Sequence, residues 1–202
     1  MKIAVFVSGR GSNLRAILEK VPASKIKVAA IVSDKADCPA FSIAEEWGIN
    51  TFSVSQNEKE NFITYSFLIE KLKNENVELI VLAGFLKKIP DELIDSFHNR
   101  IINIHPALLP LFGGRGMYGI NVHRAVFDSN VKVSGATIHF VNKIYDSGLI
   151  IAQRAVGIDD AETPEEIAAR VLKVEHELLP FVVEKFADGK VAIVNSRARI
   201  LD

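Results

Sequence analysis

The chain has one cysteine and almost no net charge, and both features limit the compartment and the binding partners that can be expected. Cys38 is the only cysteine in 202 residues, so no disulfide can form within the chain, and no Cys/His cluster has zinc spacing. A reduced, cytoplasmic compartment is the expectation that fits best. With 24 Lys and Arg against 25 Asp and Glu, the formal net charge is −1. The chain therefore lacks the general basic field that duplex nucleic acid needs, and a small anionic metabolite is the better partner.

Long apolar segments are also missing. No run approaches the roughly 18 apolar residues of a membrane-spanning helix. The opening MKIAVFVSGR carries one lysine and a short apolar run that ends in a turn, which predicts a first strand rather than a signal peptide. We therefore expect a soluble protein with no membrane partner.

Short apolar runs alternate with helical periods along the chain. Continuous Val, Ile and Leu predict strands covered on both faces in the runs KIAVFV, KVAAIV, ELIVLAGF, IINIH, GATIHFV and GLIIAQRAV. Apolar spacing predicts helices after Ser12 or Asn13 as cap, over 40–47 and over 58–74. A long tail helix is expected from Thr163 as cap and Pro164 as first residue to a stop at Gly189, with Pro180 kinking or splitting it.

This alternation predicts one domain over 1–202 with a doubly wound, mostly parallel, Rossmann-like α/β sheet. The run HFVNKIYDSGLIIAQRAV joins two strands without room for a helix, so an antiparallel addition is expected near the C-terminal part of the sheet. Ligands of such sheets bind beyond the carboxyl ends of the strands. Candidate site residues should therefore follow strands.

The turn SGRGSN after the first strand has the composition of a phosphate cradle. Glycines let backbone amides approach an anion, the helix contributes its positive N-terminal end, and Ser12 and Asn13 add donors. Leu14 stands where a dinucleotide fingerprint has its third Gly or Ala, and the P-loop lysine is missing. Asp34 after the second strand mimics a ribose-binding acid, so an NAD-type oxidoreductase stays open, as does a plain tight turn.

Polar side chains also end the strand IINIH. Asn103 and His105 are two residues apart and point the same way in an extended chain, where His105 could act as a general acid and Asn103 as a neutral donor. Pro106 stops the strand, and LFGGRGMYG predicts a long loop over a ligand or a plain surface excursion. Asp146 lies in a turn; next to His105 it would raise the histidine pKa, but spacing alone does not bring the two together.

Five blocks together resemble a known family. VSGRGSNL, VLAGFLKKI, INIHPALLP, YDSGLIIAQ and VEHELLP occur in this order over nearly the whole chain, and they resemble glycinamide ribonucleotide transformylases, the folate-dependent formyltransferases of purine synthesis. The resemblance implies formyl transfer from 10-formyltetrahydrofolate to the amine of phosphoribosylglycinamide, without a metal. Residues 1–100 would then form a phosphate-binding half, and 101–202 a catalytic and folate-binding half with the tail helix.

The resemblance also implies roles for individual residues. Asn103, His105 and Asp146 match the catalytic residues, with Asp146 raising the His105 pKa so that Asn103 and His105 stabilise a tetrahedral intermediate. The ribonucleotide phosphate would be held by Gly11, Ser12 and Asn13. Its sugar would lie near Glu175, which is otherwise expected on a solvated helix face. The folate pocket would be lined, largely by backbone, by Leu86, Lys87, Lys88 and Ile89, together with Asn103.

Two departures from the family pattern leave points open. Asn61 stands where family members often have an arginine, so the phosphate charge would be met by Arg10, Lys59 or the loop. The loop is longer than usual, and Arg115 could reach a phosphate or carboxylate. Partners are expected to be small molecules, with a monomer or homodimer.

Several alternatives also stay open. Within the family they are a formyltetrahydrofolate hydrolase, which normally has a further N-terminal domain, and a tRNA formyltransferase, which normally has a basic C-terminal one. The chain starts at its first strand and ends soon after the tail helix, which favours the small-molecule transferase. A non-catalytic metabolite sensor would keep the cradle without needing His105.

Overall fold

The computed structural model describes residues 1–201 and separates into two compact units, Met1–Ile102 and the residues from Asn103 onward. The first unit contains, in chain order, β1 (Lys2–Val7), α1 (Ser12–Lys20), β2 (Lys27–Ser33), α2 (Phe41–Trp47), β3 (Asn50–Ser55), β4 (Ile63–Thr64), α3 (Tyr65–Asn74), β5 (Leu79–Leu82) and α4 (Asp91–Ser96). Strand β6 (Ile101–His105) follows, and after it come α5 (Ile120–Asp128), β7 (Val133–Phe140), β8 (Ile150–Gly157), α6 (Pro164–Ala187), β9 (Val191–Val194) and β10 (Arg197–Ile200).

The main sheet has eight strands in the order β4-β3-β2-β1-β5-β6-β7-β8. Strand β1 pairs in parallel with β2 and β5, and β2 pairs in parallel with β3. Strand β8 pairs antiparallel with β7 at the sheet edge. The predicted fold class, with its antiparallel addition, is therefore confirmed. Within residues 1–201, no helix is long and apolar enough to cross a membrane.

The central strands are buried because their apolar runs are covered on both faces. Residues 3–7 of β1 are at most 1% exposed, and the face of α1 predicted from spacing buries Leu14 and Ile17. Burying such side chains stabilises the fold by about 1.5–3 kcal/mol each. These contacts fix the strand ends from which the polar turns start.

Three helix predictions need correction. No side chain caps α1, because Gly11 occupies the N-cap position with φ +75°. Helix α3 begins at Tyr65, not at residue 58, since Asn61 has φ +62° and Ile63–Thr64 pair as a strand with β3. The expected split at Pro180 is wrong, as α6 runs through it. Its cap is confirmed, because the Thr163 side chain accepts from the Glu166 N–H.

The hairpin of β9 and β10 is absent from the sequence prediction. Val194 pairs with Arg197 across a two-residue turn of Asn195 and Ser196. Both turn residues have positive φ, 51° and 59°, which is the requirement of a type I′ turn. Asn favours this conformation, but Ser does not, so the turn signal in the sequence is weak.

Candidate active site

The second unit gathers polar side chains at the end of β6. His105 is 3% exposed, and its Nε2–H donates to the carbonyl oxygen of Phe112 at 2.8 Å. A carbonyl can only accept, so this partner assigns the proton of the neutral ring to Nε2. The other ring nitrogen, Nδ1, lies 3.7 Å from Oδ2 of Asp146. The structure thus brings together two residues that are 41 positions apart in the chain.

Asp146 is held in place by a strained turn and by the loop after β6. Its φ is +50°, a conformation that is uncommon outside glycine and is often found at functional sites. The backbone N–H of Gly114 donates to its Oδ2 at 2.8 Å. Since Phe112 and Gly114 belong to one loop, the same three-residue stretch of backbone contacts both His105 and Asp146.

Histidine 139, which sequence reasoning did not single out, connects the remaining members of the cluster. It is 2% exposed in β7, and its Nδ1–H donates to the Phe140 carbonyl at 2.8 Å. This leaves Nε2 to accept from the side-chain amide of Asn103 at 3.1 Å, while Oδ1 of Asp146 lies 3.6 Å from the same nitrogen. The available signal was a histidine near the carboxyl end of a predicted strand, where ligand-facing residues of such sheets are expected.

Burial and neighbouring groups shift the pKa of His105 in opposite directions. Burial lowers the pKa of His105 below its ordinary value and outweighs the Asp146 carboxylate and the Phe112 carbonyl, which both raise it. Asp146 therefore acts in the predicted direction, but its contribution is too small to lift the His105 pKa above the ordinary value. Desolvation dominates because the ring is almost completely enclosed.

The carboxyl group of Asp146 shows the opposite balance. Burial alone raises its pKa, but His139, the Gly114 amide and the charge of His105 together lower it below the usual value. Asp146 is therefore ionised at neutral pH.

A third buried histidine lies on α5. His123 is 6% exposed, and burial, with a further contribution from the charge of His105, lowers its pKa to about 4. Its Nδ1 is buried without a hydrogen-bond partner. The His123 ring is thus neutral at pH 7 and adds no positive charge next to His105.

The segment 107–109, directly before the predicted loop LFGGRGMYG, is anchored by three hydrogen bonds. The N–H of Leu109 donates to Oγ1 of Thr137 at 3.0 Å, and the Thr137 hydroxyl donates to the Ala107 carbonyl at 2.7 Å. The amide of Gln153 adds a bond to the Leu109 carbonyl at 2.9 Å. Leu111 and Tyr118, farther along the loop, are exposed, so the loop is fixed at its base.

In the first unit, Gly11 is required by both backbone and packing. Its φ is +75°, and an added Cβ would lie 2.8 Å from Cβ of Ala40. Gly9 differs, because it has no positive φ and an added Cβ would meet nothing within 4 Å. Ser12 begins α1 and Asn13 is buried in its first turn. The turn therefore keeps open space beside Gly9 while Gly11 closes against α2.

Asp34 is directed into this turn and away from the role that a dinucleotide site would give it. Its Oδ1 accepts the hydroxyl proton of Ser8 at 2.5 Å. An acid engaged within the turn is a poor ribose ligand, so the NAD-type alternative loses its main residue. Asp34 also lines, with Lys35, Lys59 and Asn61, an open groove of about 730 Å³, in which the Lys59 Nζ lies 4.1 Å above the Phe62 ring.

The segment implied to border the folate divides into exposed and buried parts. Leu86, Lys87 and Lys88 are exposed, whereas Ile89 is 3% exposed and packs into the core. The backbone N–H of Leu86 already donates to Oγ of Ser8. Ile89 and the Leu86 amide are thus engaged by the protein, which leaves the side chain of Leu86 and the two lysines to face a ligand.

The remaining predicted residue, Glu175, lies on α6 and is 7% exposed. The expectation of a solvated helix face is therefore wrong. Among residues 1–201, no group of three or more His, Cys, Asp or Glu side chains is placed to hold a metal ion.

Comparisons with known proteins identify the family of the chain. A family model described as formyl transferase matches residues 1–183. The chain is 45% identical over 194 residues to a chloroplastic phosphoribosylglycinamide formyltransferase of Arabidopsis thaliana, covering 94% of this chain and 66% of that protein. It thus spans just under two thirds of that plant relative.

A bacterial relative and a solved structure match over nearly their whole lengths. The phosphoribosylglycinamide formyltransferase of Bacillus subtilis is 38% identical over 187 residues, covering 91% of this chain and 93% of that protein. The crystal structure of the enzyme of that name from Anaplasma phagocytophilum superposes with a TM-score of 0.90 at 31% identity, covering 100% of this chain and 94% of the other. The chain therefore belongs to the formyl transferase family.

Proposed function

We propose that the protein transfers the formyl group of 10-formyltetrahydrofolate to the amine of 5-phosphoribosylglycinamide, in purine biosynthesis. The observation that carries this proposal is the cluster of buried His105 with half-buried Asn103 and Asp146, in which Asp146 comes from a distant part of the chain. Direct transfer needs the two reactants held in contact and donors aimed at the oxygen that becomes negative. The cluster offers an amide donor, an imidazole and a carboxylate for that task.

The proposed reaction passes through a tetrahedral intermediate. The amine nitrogen of the ribonucleotide attacks the formyl carbon, and the carbonyl electron pair moves onto oxygen. Asn103 uses an amide N–H to stabilise this oxygen, and protonated His105 adds positive charge. The bond from carbon to N10 of the folate then breaks, as the amine loses a proton and N10 gains one, which yields the formylated ribonucleotide and tetrahydrofolate.

Asp146 and the loop give His105 its part in this scheme. The Nε2–H of His105 donates to Phe112, so the proton that comes and goes is the one on Nδ1, beside the carboxylate of Asp146. Protonation at Nδ1 replaces a lone pair facing a carboxylate with an ion pair. His139 orients Asn103 by accepting from its side-chain amide.

Binding roles follow from the family resemblance. Gly11, Ser12 and Asn13 hold the phosphate of the ribonucleotide, and Glu175 binds near its sugar hydroxyls. Leu86, Lys87, Lys88 and Ile89 border the folate, with the Ile89 side chain supporting the segment from the core. No metal takes part in the proposed mechanism. The monomeric or homodimeric state and the cytoplasmic location stay predictions; the plant relative is named chloroplastic.

The test compares deformylation of 10-formyltetrahydrofolate with and without phosphoribosylglycinamide, followed by absorbance. The proposal predicts tetrahydrofolate only when the amine substrate is present. Release of tetrahydrofolate without it would instead identify a formyltetrahydrofolate hydrolase. His105→Ala should abolish turnover and leave ribonucleotide binding intact, whereas His98→Ala, at an exposed histidine of the first unit, should change neither. Full turnover by His105→Ala would refute the mechanism.

A further inference from the structure

One serine connects the two ligand-binding segments of the first unit. Ser8 directly follows β1 and precedes the Gly9–Gly11 turn, and it is 1% exposed. Its backbone N–H donates to the Gly84 carbonyl at 3.0 Å, and its hydroxyl oxygen accepts from the Leu86 N–H at 2.9 Å. Two hydrogen bonds thus join the start of the turn to the segment 84–86.

Asp34 fixes the orientation of this hydroxyl. A serine has a single hydroxyl proton, and that proton is donated to Oδ1 of Asp34 at 2.5 Å, which is short for such a bond. The lone pairs of the oxygen are thereby turned toward Leu86. The carboxylate of Asp34 therefore acts on the Leu86 segment through Ser8.

The far side of the turn is held separately. The Gly9 carbonyl accepts from the Ala40 N–H at 3.1 Å and from the thiol of Cys38 at 3.4 Å. These contacts do not involve the Ser8 side chain. Removing the hydroxyl should therefore leave the backbone bonds of the turn to Ala40 and Gly84 in place, but remove the side-chain bond that fixes the turn and the Leu86 segment relative to each other.

We infer that Ser8, oriented by Asp34, is a positioning residue that holds the phosphate-binding turn and the folate-lining segment in one geometry. This rests on the proposed function, which assigns the turn to the ribonucleotide and the segment 86–89 to the folate. Because a single hydroxyl serves both, its loss should weaken both ligands together. A residue that supports only one segment would weaken only one ligand.

The experiment measures dissociation constants by calorimetry for phosphoribosylglycinamide and, separately, for tetrahydrofolate, which has no formyl group to transfer. Ser8→Ala should raise both constants about fivefold or more, with KM rising more than kcat falls. Ser42→Ala is the matched control, because it removes an exposed hydroxyl bonded to the Pro39 carbonyl in the same unit; it should leave both constants unchanged.

Asp34→Ala should raise both constants in the same way. Because Asp34 acts through Ser8, adding Asp34→Ala to Ser8→Ala should change them less than twofold, a non-additivity that general destabilisation would not produce. Unchanged constants in folded Ser8→Ala, weakening of one ligand alone, or additive effects would overturn the inference. Failure of the wild-type protein to bind either ligand would instead overturn the proposed function.

Discussion

Replacing Asp146 by Asn removes one negative charge next to His105 and keeps the size of the side chain. The carboxylate oxygen lies 3.7 Å from Nδ1. At that distance two unit charges interact by about 1 kcal/mol at a dielectric constant of about 80 and by about 4 kcal/mol at about 20. Because about 1.36 kcal/mol corresponds to a factor of ten in a protonation equilibrium, losing this charge should lower the His105 pKa further and reduce the protonated fraction about 10- to 1,000-fold.

The rate should follow the protonated fraction of His105. Burial already holds the pKa of His105 below its ordinary value, so at pH 7.5 any further lowering of that pKa reduces the protonated fraction by the same factor as the protonation equilibrium constant. We expect kcat of Asp146→Asn at pH 7.5 to fall about 10- to 1,000-fold, and the part of the pH–rate profile that reports His105 to move to lower pH.

The assay is a pH series of kcat with both substrates saturating. Ribonucleotide affinity of the variant, measured by calorimetry, serves as the control for folding and should stay within twofold of the wild type. A variant that keeps its rate within about twofold and its profile unshifted would refute the assignment of charge stabilisation to Asp146. A variant that loses ribonucleotide binding would show a wider defect than the mechanism predicts.

Three further predictions concern stability and the glycine turn. Because the pKa of His123 is lowered in the folded state, the unfolded state takes up the proton first as pH falls, so stability is complete above about pH 6.5 and declines toward pH 4. Between pH 7.5 and pH 5, His123→Leu should lose about 1–2 kcal/mol less unfolding free energy than the wild type, as measured by urea unfolding. Equal losses in the two proteins would contradict this. Gly11→Ala should lower the melting temperature, whereas Gly9→Ala should leave the melting temperature unchanged and weaken the binding of phosphoribosylglycinamide. The reverse pattern would contradict the roles given to the two glycines. Thr163→Ala should destabilise the protein by about 1 kcal/mol through loss of the α6 cap; no change in urea midpoint would exclude the cap as a contributor.

Much of the fold was predictable because its signals are local. Strand β1 follows from its continuous apolar run. The start of α6 follows from Thr163, which favours the N-cap position, and from Pro164, which favours the first helical position. The start of α3 was not predictable, since only the φ of Asn61 and the pairing of β4 show that residues 58–62 leave the helical path. Strand β3 was not predicted either, because its sequence NTFSVS contains no continuous apolar run.

The residues of the candidate site were more predictable from the sequence than their contacts and pKa values. Spacing placed Asn103 and His105 on one side of a strand, and the family resemblance supplied Asp146. His139 was missed because its strand also carries Ser134 and Thr137, so one more polar residue does not stand out, and its importance depends on a contact with Asn103 that spacing does not contain. The net direction of the His105 pKa required the depth of burial, which no sequence pattern gives.

The most direct test of the central claim uses 10-formyltetrahydrofolate labelled with ¹³C in the formyl group. After incubation with phosphoribosylglycinamide and the wild-type protein, mass spectrometry should find the label as a formamide on the ribonucleotide, in an amount equal to the tetrahydrofolate formed. Label recovered as free formate, with the ribonucleotide unchanged, would contradict transfer and show that water is the acceptor.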